Sequence, residues 1–274
     1  MELEGLWNCV LARAGTRVVP NDVHLGGDSP ASLLLTGPNM GGKSTLLRSV
    51  CVLVILAQMG CWVPAVSARM SVVDTIFTRL GARDNIMTGE STFLVEAREA
   101  AAILQNATAN SLVAMDELGR GTSTCDGCAI ALATFSHLKQ RLCRMLFATH
   151  YGSELAADSA RFGDSGAAFG HMACLVRPEA EGGQARLAFL YKLRAGVCPR
   201  SYGIEVAGLA GIPASVLRRA EARGAALAPP APPPAPPPAP GPAPGALRAA
   251  LAGVLRADLR PPELLEHWRA CRRL

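Results

Sequence analysis

Long uninterrupted apolar runs are missing from this 274-residue chain, although half of its residues are hydrophobic. Residues 49–68 come nearest, with no charge over about a bilayer's span, but Gln58, Gly60 and Pro64 interrupt them. A transmembrane helix is set aside for a helix buried in a globular core. A disulfide framework is missing too, since the nine cysteines are odd in number and scattered. No charged region followed by an apolar one precedes a cleavage site at the start, so a reducing, intracellular compartment is expected. Cys125 and Cys128 form one C-x-x-C pair with no second pair to complete a zinc site and no thioredoxin-like context, and both are expected to pack within a helix.

Lysine is scarce: Lys43, Lys139 and Lys192 are the three among 27 basic residues. A basic main body is also lacking. From Arg218 onward there are nine arginines and four acids, which accounts for the whole net charge of +5 and leaves the rest balanced. A neutral body has no large electrostatic footprint for nucleic acid on its own. No internal repeat is visible.

What is present is an alternation of short β-rich runs and longer helical patterns, the signature of parallel strands joined by helices. Strands are predicted at 32–36, 75–78, 111–115, 144–148, 171–176 and 186–193. Helices are predicted at 43–59, 91–107, 124–140, 201–210 and 213–223, with Pro213 in a first turn and Gly224 as a C-terminal stop. Residues 229–244 then hold eleven prolines in sixteen positions. Such a segment extends as polyproline II, roughly 50 Å at about 3.1 Å per residue, and reads as a spacer; its alanine-proline monotony lacks the flanking residues of a docking ligand. The expected organisation is a domain at 1–224, a proline-rich linker at 225–245 and a short helical tail at 246–274, a possible dimerisation element too small to fold alone.

The stretch TGPNMGGKST carries Gly37-x-x-x-x-Gly42-Lys43-Ser44, a complete phosphate-cradle motif with a strand before it and a helix after it. Glycines let successive N–H groups point inward at phosphate oxygens, Lys43 adds a point charge at the β/γ-phosphates, and the Ser44 hydroxyl can ligate Mg²⁺. The helix N-terminus adds its partial positive charge. The run Gly37, Pro38, Asn39, Met40, Gly41, Gly42, Lys43, Ser44 and Thr45 is therefore the candidate nucleotide-binding stretch. With so few lysines, a chance match is rare, yet the motif alone leaves kinase, GTPase, helicase and transporter ATPase open.

Two further strands supply chemistry. The run 111–115 leads into the adjacent carboxylates Asp116 and Glu117; the first is placed to hold Mg²⁺ and the second to orient and activate an attacking water. The run 144–148 leads to Thr149 and His150, which could sense the γ-phosphate. Ligands in open α/β sheets bind beyond the carboxyl ends of the strands, so Gly37, Asp116, Glu117 and His150 are expected to converge there. Ser91 opens a long helix as an N-cap, and such an end can also serve a neighbour's nucleotide. The segment 119–124, GRGTST, lacks the third glycine and the preceding strand of a dinucleotide fingerprint, and reads as a loop beside the metal site suited to a dimer contact.

The order GPNMGGKST, GESTFLVE, LVAMDELGRGTST, FATHY and SYGIEVAGLAGIP resembles the ATPase domain of the MutS family of mismatch-repair proteins, over residues 3 to 223. TRLGARDNIMTGESTF, GHMAC and GVCPRSYG look most like the larger subunit of the eukaryotic heterodimer that recognises single-base mismatches. The resemblance implies an α/β fold, a P-loop NTPase of ABC-ATPase type with a mixed sheet flanked by helices and a C-terminal helical appendage. It implies ATP and Mg²⁺ as cofactors, a smaller MutS-homologue subunit as partner, mismatched duplex DNA bound through domains absent from this chain, no membrane, and a nuclear location. It further implies Asn39 and Lys43 on the β/γ-phosphates, Ser44 and Asp116 on the magnesium, Glu117 as the water-activating carboxylate and His150 as a switch. Ser91 would reach across a head-to-tail dimer to the partner's γ-phosphate. Adenine would lie between the segment around Val18 to Asn21 and Tyr191, although Val18 stands where the family usually has an aromatic.

Two other readings compete. A transporter or chromosome-maintenance ATPase carries its glycine-rich serine motif close to the acidic strand, whereas Ser91 lies far upstream of Asp116. A truncated, non-catalytic module that holds nucleotide or a partner would not need Lys43, Asp116 and Glu117 intact.

Overall fold

The computed structural model describes residues 1–81, 91–161, 166–177, 186–198 and 200–227. The linker expected beyond Leu227, the tail at 246–274 and the residues 87–90 ahead of Ser91 lie outside the described residues. Met1–Glu221 form one compact unit and Ala222–Leu274 a second, of which only the end of the last helix is described.

In chain order the elements are β1 (Glu2–Leu6), α1 (Cys9–Arg13), β2 (Asn21–His24), β3 (Ser32–Thr36), α2 (Lys43–Gln58), β4 (Ser67–Arg69), β5 (Ile76–Arg79) and α3 (Thr92–Asn106). They continue with β6 (Leu112–Asp116), α4 (Thr124–Gln140), β7 (Arg144–Ala148), α5 (Gly152–Arg161), β8 (Ala167–Arg177), β9 (Arg186–Ala195), α6 (Gly203–Leu209) and α7 (Ala214–Leu227). Six strands form one mixed sheet in the order β5-β6-β7-β3-β8-β9, parallel except for β9, which runs antiparallel to β8. A separate antiparallel sheet has the order β2-β1-β4.

The central strands SLLLT, LVAMD and RMLFA are buried at every position, as parallel strands covered on both faces must be. Because side chains alternate, Leu33 and Leu35 pack with Leu47, Val50 and Leu53 of α2 on one face. Leu34, Val113, Met115 and Phe147 pack with Ile103 of α3 and Phe135 of α4 on the other. Phe135 meets Phe147 edge to face at 5.3 Å, a contact of about 1 kcal/mol beyond its area. The sheet thus fixes the carboxyl ends of β3, β5, β6 and β7 side by side at one edge.

Several expectations shift. The helix α7 runs through Gly224 to Leu227, so Gly224 is not its stop: two alanines follow it, and their helix preference offsets the roughly 1 kcal/mol cost of an internal glycine. Cys125 is exposed in the first turn of α4 and does not pack; Cys128 is half-buried. The strand expected at 171–176 begins four residues earlier, where AAFG pairs with β3. The β2-β1-β4 sheet and α5 carry no pattern long enough to read, since three- to five-residue strands and a ten-residue polar helix show too few periods. Among the described residues no helix is long and apolar enough to cross a membrane.

Candidate functional site

The loop between β3 and α2 is shaped by what its glycines lack. At Gly37, φ is +129° and a Cβ would lie 3.1 Å from the Met172 backbone; at Gly42, φ is +100° and a Cβ would lie 3.4 Å from the Tyr191 ring. Gly42 is the N-cap of α2 and, having no side chain, leaves the first-turn N–H groups without a side-chain acceptor. The α3 and α4 N-termini differ, since Ser91 accepts from Leu94 N and Ser123 from Asp126 N. A 16-residue helix whose donors meet no serine cap is built to receive an anion.

Lys43 folds back over this loop, 4% exposed, and its Nζ donates to Gly37 O at 2.8 Å and Pro38 O at 3.2 Å. Burial pushes its ammonium below the usual lysine range, while Glu117 and Asp116 pull it back. Ser44 Oγ donates to Asp116 Oδ2 at 2.5 Å. Asp116 is buried, and its Oδ1 has no hydrogen-bond partner. Burial raises the Asp116 carboxyl above its ordinary range, the Ser44 hydrogen bond opposes that, and the neighbouring Glu117 charge adds to it.

A hydroxyl and a carboxylate side by side, with one carboxylate oxygen buried and unpartnered, fit a Mg²⁺ ion that keeps waters and phosphate oxygens as its other ligands. A dedicated all-protein cage is not the alternative: among the described residues no three His, Cys, Asp or Glu side chains cluster to hold a metal.

Glu117 has φ +54°, Met40 +66° and Tyr191 +52°, left-handed conformations that cost non-glycine residues about 1 kcal/mol or more each. The turn at Glu117 brings its carboxylate out of the strand and back across the sheet edge. Its N–H donates to Ala148 O at 2.9 Å, and its Oε1 lies 2.7 Å from His150 Nε2 and 4.0 Å from Lys43 Nζ. Arg120 pairs with the other carboxylate oxygen, Oε2. The His150 hydrogen bond, then the His150, Arg120 and Lys43 charges, hold the Glu117 carboxyl down to about 2 despite burial.

The structure thus brings Gly37, Lys43, Ser44, Asp116, Glu117 and His150 together at one sheet edge. A cavity of about 360 Å³ on one side of the loop is lined by residues that include Val18, Asn21, Asn39, Met40, Ser44, Thr45 and Tyr191. A second, of about 450 Å³, takes in Pro38, Asn39, His150, Cys198 and Arg200. Gly41 tightens the loop, its N–H donating to Pro38 O at 3.1 Å. Ser91 is exposed and figures among the described lining residues of neither cavity.

The contacts of three residues escape sequence reasoning, which places Asn21 only in the adenine-side segment and Arg120 only in the 119–124 loop. Asn21 clamps β2 to β9, donating from Nδ2 to Tyr191 O and accepting at Oδ1 from Leu193 N. Arg120 and Arg79 are the others. Arg79 closes an apolar strand with a charge beside Asp116, the same signal that marks Asp116 itself.

Residues 33–228 match the family model described as MutS domain V. The chain belongs to the MutS family. It is 52% identical to the DNA mismatch repair protein MSH7 of Arabidopsis thaliana over 242 residues, 83% of this chain and 21% of that protein. It is 46% identical to the DNA mismatch repair protein Msh6 of Homo sapiens over 230 residues, 80% of this chain and 17% of that protein. To the DNA mismatch repair protein MutS of Sorangium cellulosum it is 51% identical over 210 residues, 76% of this chain and 22% of that protein. The chain therefore spans about a fifth of the length of these curated relatives, and within the MutS family it stands close to eukaryotic Msh6.

Proposed function

We propose that this chain is the ATPase domain of a mismatch-repair sensor, a P-loop NTPase of ABC type that binds and hydrolyses ATP as one half of a two-site dimer. The observation that carries the reading is the Ser44–Asp116 contact, with Asp116 Oδ1 buried and unpartnered beside Lys43 and the α2 N-terminus. Asn39 and Lys43 hold the β/γ-phosphates, and the backbone N–H groups of the loop between Asn39 and Thr45 cradle them. Adenine enters the cavity between the segment around Val18 to Asn21 and Tyr191, which supplies the one aromatic face of that pair.

Ser44 and Asp116 would hold Mg²⁺, which would supply neutralisation of phosphate charge. Glu117, held down to about 2 by His150 and the neighbouring cations, is ionised at neutral pH and orients the attacking water by accepting its proton. A carboxylate held near pKa 2 is a weak base, so the acceleration comes mainly from positioning and charge stabilisation. His150, donating to Glu117, holds that carboxylate toward the γ-phosphate and switches with its loss.

Ser91, exposed and lining neither cavity of this site, serves the γ-phosphate of the partner's. The partner is a smaller MutS-homologue subunit, and the pair acts in the nucleus on mismatched duplex DNA through domains outside this chain. ATP binding clamps the two domains together and hydrolysis resets them. The test is turnover by the purified chain with and without the smaller subunit: slow hydrolysis alone and marked stimulation by the partner are expected, and equal rates would sink the composite site.

A further inference from the structure

Arg79 is 2% exposed, and its guanidinium makes contacts in two directions. Nη1 donates to Gly81 O at 3.0 Å and to Asp116 O at 3.1 Å, the carbonyl of the peptide that joins the two site carboxylates. Nη2 forms an ion pair with Glu96, which is also buried, and Nε lies 3.8 Å from Glu99 Oε2. Glu96 and Glu99 belong to α3, the helix that Ser91 caps; Glu96 stands five residues from that cap, about 7.5 Å along the axis.

A buried ion pair is weak evidence of stabilisation, because desolvating both charges offsets their attraction. This one has a second target. The Asp116–Glu117 peptide leads into the left-handed turn at Glu117 and must be held against relaxation. A planar fork of donors reaches the Asp116 carbonyl and the α3 carboxylate at once, which a lysine ammonium cannot do.

We propose that Arg79 is a positioning residue: it fixes the peptide between Asp116 and Glu117 and ties it through Glu96 to α3. Resting on the composite-site reading, this makes the chain's own metal corner and the Ser91 end it offers to the partner parts of one rigid unit. Displacement of α3 when its end engages the partner's phosphate is then felt at Asp116 without any new contact.

The variants are R79K and E96Q, with R79M as the harsher form. Binding of a fluorescent ATP analogue to the full chain, with and without Mg²⁺, is read first, then kcat and KM of the dimer. For folded R79K, affinity without Mg²⁺ is expected to stay within about twofold, while half-saturating Mg²⁺ rises and kcat falls by about tenfold, as for loss of an outer-shell partner. E96Q, whose site lies on α3 and touches no ligand, moves both in the same direction by about threefold. The double variant R79K/E96Q is no worse than R79K, since both act through one route.

Wild-type Mg²⁺ dependence and kcat in folded R79K would overturn the proposal. An E96Q chain indistinguishable from wild type would overturn the tie to α3. If R79M alone unfolds, R79K and E96Q carry the test. An inactive wild-type dimer would count against the composite ATPase reading, while the Mg²⁺ dependence of binding by the single chain would still decide the role of Arg79.

Discussion

The N-termini of α2 and α3 both present backbone donors, and they are finished in opposite ways. At α2 the cap is a glycine in the left-handed region, the first helical residue is a buried lysine, and a serine hydroxyl meets a buried carboxylate two strands away. At α3 the cap is an exposed serine whose hydroxyl already satisfies its own helix. One end is enclosed by its own chain; the other is turned outward. The difference teaches that the α3 end is not a second cradle of this chain: its serine hydroxyl is already spent on Leu94 N, and the proposed composite site is what would give that exposed end a use.

The sharpest way to break this contrast is to disable chemistry at the enclosed end alone. Glu117→Gln keeps the side chain's shape but removes the charge proposed to orient water. In the dimer we expect kcat to fall about 10²-fold or more, as for loss of a general base, with nucleotide binding retained. Turnover at the wild-type rate would remove Glu117 from its assigned role and with it the claim that the α2 corner is the reacting one.

The outward end should give a smaller effect of a different kind. Ser91→Ala loses a cap worth about 1 kcal/mol to α3, seen as lower thermal stability of the single chain. In the dimer it should also slow turnover roughly tenfold, the loss of one hydrogen bond to a charged oxygen. Nucleotide binding by the isolated chain should not change. A stability loss with unchanged dimer turnover would reduce Ser91 to a helix cap and leave the contrast purely structural.

How much of this was legible in the sequence follows the same division. The enclosed corner could be read because strand, loop and helix are contiguous, and because buried parallel strands announce themselves as SLLLT, LVAMD and RMLFA. Their carboxyl-end residues then had to share an edge. What could not be read depends on contacts between distant residues. Asn21 reaches β9 across 170 positions, and the tie from Arg79 to Asp116 depends on β5 lying next to β6. The small β2-β1-β4 sheet escaped because its strands show too few alternations, and Cys125 proved exposed, in the first turn of α4.

The smallest expected effect is also the one most specific to the enclosed corner, because its two carboxylates should respond to pH with opposite signs. Glu117, held near 2, contributes stability that is fully present above the ordinary carboxylate range and is lost as pH falls from there toward 2. Asp116, raised by burial, works against the fold once ionised, so its cost appears as pH rises through its folded value. Asp116→Asn keeps an acceptor for Ser44 and removes that charge. In metal-free protein at neutral pH it should raise the melting temperature, by about 2–4 °C if it gains about 1 kcal/mol, while abolishing the Mg²⁺ dependence of nucleotide binding. The gain should vanish at a pH low enough to protonate Asp116 in the wild type. A variant that melted lower at neutral pH would mean that ionised Asp116 stabilises its surroundings, and that its burial carries no net cost at the α2 corner.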